Sequence, residues 1–104
     1  MKTYVIASLV LMAASSAAFG AGNAAAGKEK NSMCVGCHGI PGYRTAYPET
    51  YQVPKLGGQH AEYIVDALKD YKKGDRKFST MRAIVGDLSE QDMNDLAAYY
   101  SEGK

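Results

Sequence analysis

The sequence predicts a small all-α domain of about three main helices with long loops between them. Three observations carry this. Two separate stretches repeat apolar residues at helical spacing, no stretch alternates as a half-buried strand would, and the longest intervening segment is rich in Gly, Pro and Tyr without a sustained period. The chain has 104 residues, no Trp and two Phe, so its side-chain core is thin. Domains near this size rarely hold together on such a core alone. A disulfide, a metal or a large buried group is therefore expected as a staple.

Residues 1–20, MKTYVIASLVLMAASSAAFG, read as a secretory signal peptide. Lys2 supplies the positive start, Val5–Ala18 the apolar stretch, and Ala18 and Gly20 the small residues that direct cleavage after Gly20. The apolar run falls short of the ~20 residues needed to cross a bilayer. No stable membrane insertion is expected once it is removed, and 21–104 forms one domain. Asn23 is placed to N-cap a first helix over Ala24–Met33, with Ala26, Lys30 and Met33 on one side. Residues 39–58 read as a long ordered loop.

The second helix is expected over Gln59–Lys73, where Ala61, Ile64, Val65, Leu68 and Tyr71 share a face. Gly74 is its stop signal, and Lys69, Lys72 and Lys73 suit the negative end of the helix dipole. A loop follows over 74–87. The third helix opens at Ser89, which forms a capping box with Asp92, while Leu88 and Met93 take the positions of a hydrophobic staple. Met93, Leu96, Ala97 and Tyr100 then line its apolar face.

Twelve basic against 11 acidic residues leave a net charge of +1. That balance gives no support for nucleic-acid binding, which leans on excess positive charge. No Ser/His/Asp set, paired carboxylates or phosphate-binding loop is present, and the carboxylates read as solvated faces and helix caps. An enzyme is not expected.

Both cysteines and one of the two histidines fall within MCVGCHGIP, residues 33–41. A Cys34–Cys37 disulfide would close a very short loop and constrain the unfolded chain little. A thioredoxin-type dithiol calls for a βαβ setting that is missing here. Zinc would have to use Cys34, Cys37, His38 and His60, but His38 adjoins Cys37, outside the usual ligand spacing. Cys-x-x-Cys-His is the pattern of c-type haem attachment, in which two thiols anchor the porphyrin and the next residue ligates the iron. Gly36 and Gly39 let the backbone approach the ring closely. A covalent haem would also supply the missing core, so the haem-free chain is expected to be largely unfolded.

The sixth iron position has several candidates. Met33 neighbours the attachment side, Met93 belongs to a core face, and His60 opens the second helix. Met81 lies in the 74–87 loop, far enough along the chain to wrap the haem. An empty position also stays open.

Three stretches in order, CVGCHG, VPKLGGQHAEYIVDALKDYKKGDR and STMRAIVGDLSEQDMNDLAAYYSE, resemble a bacterial class I cytochrome c. The resemblance covers essentially all of Ala21–Lys104 and is nearest to the cytochrome c-553 subgroup and to one half of the two-haem periplasmic cytochromes. It implies the class I cytochrome c fold around one haem c, bound covalently through Cys34 and Cys37. It further implies His38 and Met81 as axial ligands, with the carbonyl of Pro54, in Pro54-Lys55-Leu56, accepting the Nδ1 proton of His38. Gly27 and the Tyr99-Tyr100 pair then fall where the first and last helices cross. The loop GIPGYRTAYPETYQVP is longer and richer in Tyr than in many relatives.

The function so implied is single-electron shuttling in the periplasm by a monomer. Its redox protein partners would be a dehydrogenase, an oxidase or another cytochrome. Val35, Gly36, Ile40, Pro41 and the loop around Met81 would form an apolar contact ring. Lys69, Lys72, Lys73, Arg76, Lys77 and Arg82 either flank it with positive charge that steers an acidic partner or form a solvated helix end. Two other readings stay open: a labile or bis-His sixth ligand serving gas sensing, and a subunit through which electrons pass into a larger enzyme.

Overall fold

Asn23 starts the fold. Its backbone is extended and its side chain accepts the Ala26 N–H at 3.1 Å, opening α1 over Ala24–Lys30. The computed structural model describes residues 22–47 and 50–103. The signal peptide expected over 1–20 lies outside them. Five helices are present among the described residues, against about three main ones expected, because two short helices form where the sequence suggests something else.

The first of these comes from a break at Asn31. The sequence pattern runs on to Met33, but Asn31 takes φ −84° and ψ 3° and the chain restarts as α2, Ser32–His38. The Asn31 carbonyl accepts the N–H groups of Cys34 at 2.8 Å and Val35 at 2.9 Å, so it begins the second helix rather than prolonging the first. Within the segment expected as a loop, Arg44–Thr45 (β1) pairs antiparallel with Tyr51–Gln52 (β2), Arg44 facing Gln52. The third helix, α3, spans Ala61–Lys73 and ends at Gly74 (φ 90°), whose N–H returns to the Asp70 carbonyl at 3.0 Å. Only glycine takes that left-handed turn without strain.

The second short helix, α4, covers Ser79–Val85 in the stretch read as a loop. Its N-cap, Phe78, makes no side-chain capping bond, so the sequence carries no start signal there. Packing against α3 holds it instead. The last helix, α5, runs Glu90–Ser101 behind the expected capping box: Ser89 Oγ accepts the Asp92 N–H at 3.0 Å and the Asp92 carboxylate accepts the Ser89 N–H at 2.9 Å.

Ile64 and Val65 of α3 pack with Leu96, Ala97 and Tyr100 of α5 as the core. Met93 is 2% exposed and has a core role. Helix α1 crosses α5 so closely that a Cβ on Gly27 would lie 2.0 Å from the Asp95 carbonyl oxygen and 2.8 Å from Tyr99 Cβ. Asp95 is buried, 3% exposed, and fully engaged. Its carboxylate accepts the Asn23 N–H at 2.8 Å, Lys30 Nζ at 2.6 Å and Gln91 Nε2 at 2.8 Å. Lys30 also reaches Asp92 at 2.8 Å.

Two outcomes follow from this crossing. Gly27→Ala should lower the unfolding free energy of the haem-loaded protein by about 1–3 kcal/mol or more, the usual cost of overpacking, measured by denaturant titration. Lys30 beside Asp92 and Asp95 holds both carboxyls low, Asp92 at about 2. These folded-state values are depressed, so their stabilisation is full above the ordinary carboxylate range and lost as pH falls towards 2. The stability difference between the wild type and Lys30→Met should therefore be constant near neutrality and shrink steadily below about pH 4.

Candidate functional site

On α2, Cys34, Cys37 and His38 stand at i, i+3 and i+4, a spacing that puts three side chains on one helix face. The break at Asn31 separates α2 from α1, so that face is not bound to continue the face of α1. Gly39 closes the helix with its N–H on the Val35 carbonyl at 3.0 Å, and a Cβ there would come within 2.6 Å of that oxygen. Gly36 has open space about it. The two thiols are not joined in a disulfide.

His38 is held from behind. Its Nδ1 lies 2.6 Å from the Pro54 carbonyl oxygen, and a carbonyl only accepts, so Nδ1 carries the proton. That fixes the tautomer: Nε2 is left with its lone pair available as a ligand. The segment carrying Pro54 is itself anchored, with Val53 N–H on the Tyr43 carbonyl and Gly58 N–H on the Tyr100 carbonyl, both at 2.9 Å.

The α2 face opens on a cavity of about 340 Å³. Cys34, Cys37 and His38 line it from α2, Pro54 and Leu56 from the following loop, Ile64 and Leu68 from α3, Met81 and Ile84 from α4, and Leu96 and Tyr100 from α5. The walls are mainly apolar, and a Tyr51–Phe78 ring pair at 4.8 Å ties the hairpin to the start of α4. Burial pushes the Cys34 thiol pKa up, partly offset by the Tyr100 hydroxyl beside it.

All four expected ligating or anchoring side chains thus border one cavity, and Met81 does so from a helix rather than from a loop. Met33 also reaches the rim although it is 66% exposed. His60 is exposed and does not border the cavity, and Met93 is buried away from it. Tyr100 and Leu96 were legible as a core face of α5 but not as cavity wall. Their spacing to each other was visible, and the direction of α2 that brings Cys34 against them was not.

A family model described as cytochrome c matches residues 24–103. The chain is 43% identical to cytochrome c-554(548) of Halomonas halodenitrificans over 84 residues, covering 78% of this chain and 96% of that protein. It is 35% identical to cytochrome c4 of Pseudomonas aeruginosa over 104 residues, which is all of this chain and 50% of that one. Among solved structures it is similar to reduced recombinant cytochrome c4 from Pseudomonas stutzeri, with TM-score 0.65, 38% identity, and coverage of 81% of this chain and 47% of that chain. The chain spans about half the length of the cytochrome c4 relatives it matches.

The residues present fit a haem c. Two unpaired thiols, an imidazole with a fixed tautomer and a thioether border one apolar space. The buried core amounts to a few side chains of α3, α4 and α5. A Cys34→Ser/Cys37→Ser double variant, unable to anchor the group, should therefore lose most of its far-ultraviolet helical signal at a temperature where the haem-loaded protein is folded.

Proposed function

The chain belongs to the cytochrome c family, and from that premise we propose that it carries single electrons between redox proteins in the periplasm, with His38 and Met81 as the axial ligands of one haem c. The coarser part of this, a c-type cytochrome with a haem bound covalently through Cys34 and Cys37, goes with the family. The reading is supported above all by the single cavity bordered by Cys34, Cys37, His38 and Met81.

When bound, the haem supplies reversible one-electron exchange between ferrous and ferric iron. The chain's residues set the terms of that exchange. Cys34 and Cys37 hold the ring covalently, so it does not dissociate at low concentration. The Pro54 carbonyl keeps the Nδ1 proton of His38 in place and with it the orientation of the imidazole. The Met81 thioether would complete the iron's ligand set, favouring the reduced form relative to a second imidazole and leaving no site for a substrate. Ile64, Leu68 and Ile84 give the cavity an apolar wall and so a low-dielectric setting for the charge change.

Export belongs to the proposal: residues 1–20 serve as the signal peptide and 21–104 as the working domain. No helix of the described residues is long and apolar enough to cross a membrane. Val35 and Ile40 are each 47% exposed and suit a small apolar docking patch for a partner.

Met81→Ala tests the ligand assignment. The oxidised wild type should show the far-red sulfur-to-iron band and bind carbon monoxide only when denatured. The variant should lose the band, bind carbon monoxide readily and show a lower midpoint potential, while His60→Ala leaves all three unchanged. A band that survives Met81→Ala would remove Met81 from the iron. A wild type that lacks the band, and that binds carbon monoxide readily after His60→Ala but not after Met81→Ala, would turn the reading to bis-His ligation.

A further inference from the structure

Among the described residues, the buried side-chain polar atom left without a hydrogen bond is the Tyr100 hydroxyl. Tyr100 is 6% exposed and borders the cavity together with Cys34. Its ring has ample reason to be there: it packs with Ile64, Val65, Leu96 and Ala97 and meets Tyr99 edge-on at 5.0 Å. A phenylalanine would keep all of that packing and avoid the desolvation of an unpaired hydroxyl. The hydroxyl is what needs a reason.

Its neighbours supply one. Cys34 packs against the cluster that contains Tyr100 and lines the same cavity, and the hydroxyl, with the Cys34 sulfur and the Asn31 side chain as its polar neighbours, is hydrogen-bonded to neither. While Cys34 is a thiol, the two groups can pair in either direction, S–H to oxygen or O–H to sulfur, and neither direction is enforced. Attachment adds the thiol across a haem vinyl group, the sulfur bonding one vinyl carbon and its hydrogen going to the other, and leaves a thioether sulfur that only accepts. The change leaves O–H to sulfur as the one direction open.

We propose that the Tyr100 hydroxyl is a positioning donor for the haem, giving its hydrogen bond to the Cys34 sulfur once that sulfur is a thioether. The inference rests on Cys34 as a haem anchor. Burial, chiefly, pushes the Tyr100 pKa up to about 12, so the hydroxyl keeps its proton throughout the neutral range. A donor at this sulfur draws electron density from the edge of the ring and favours reduced iron. It also holds the attachment helix to α5, the helix that carries most of the buried core.

The test compares haem-loaded wild type, Tyr100→Phe and Tyr99→Phe by spectroelectrochemical titration and by denaturant unfolding. Tyr99 packs at the helix crossing and does not border the cavity, so it controls for aromatic packing. In Tyr100→Phe the ratio of reduced to oxidised protein at a fixed potential should fall about threefold, equivalent to about 30 mV for a one-electron couple. Its unfolding midpoint should also fall, and Tyr99→Phe should leave the potential unchanged. An unchanged potential in Tyr100→Phe overturns the inference in either of two ways: with a raised midpoint the hydroxyl is an orphan, and with a lowered one its acceptor is Asn31. An equal potential shift in Tyr99→Phe overturns it as well. An intact mass lacking the haem adduct would overturn the anchor reading itself, a result separate from any measured potential.

Discussion

The fold depends on one close approach, the crossing of α1 and α5 at Gly27. No side chain larger than hydrogen fits between that position and the Asp95 carbonyl oxygen. The contact is polar as well as tight: the buried Asp95 carboxylate gathers the Asn23 N–H, an ammonium and an amide into one fully paired group. A buried carboxylate with every partner in place specifies a single register, since any slip of α1 along α5 would leave a charge unpaired in the interior. Because α1 is pinned in this way, the break at Asn31 has a defined origin, and α2 delivers Cys34 against Tyr100 rather than into solvent.

From that origin the site is assembled by elements that each contribute little alone. The attachment helix has seven residues, as does α4, both far shorter than the ~12–15 residues at which isolated helices become even marginal in water. The hairpin is two residues on each side. These pieces surround a cavity instead of a core, and the apolar area they need to bury is present only when the ring is. The covalent anchors thus serve folding and function through the same atoms.

Much of this was legible, and the limits are instructive. Asn23, Gly74 and the Ser89–Asp92 box are local signals, readable because capping and left-handed turns are decided by residues within a few positions of each other. The apolar faces of α3 and α5 were legible for the same reason. The break at Asn31 was not: Ala24–Met33 keeps helical periodicity through it, and Asn is only a weak interruption. Helix α4 was also hidden, since STMRAIV has no side-chain cap and mixes a charge into its apolar positions. The site shows the same division. Cys34, Cys37 and His38 announce themselves by spacing, whereas the role of Tyr100 depends on which way α2 turns, and no pattern in the chain records that.

The residue that separates an electron carrier from a ligand-binding haem protein, on the proposed reading, therefore sits on an element with little local determination. Helix α4 lacks a side-chain cap and is held by its packing on α3 and by the Tyr51–Phe78 ring contact just before it. Segments of this kind open at lower free energy than the core around them. A thioether is a weak, neutral ligand, so on that reading a Met81–iron bond and the docking of α4 would support each other. His38 is the opposite case, fixed by a charge-independent hydrogen bond to a loop that is itself tied to α5. With Met81 as ligand the two sides of the haem would be unequally anchored, and any loosening of the structure is expected to release the methionine side first.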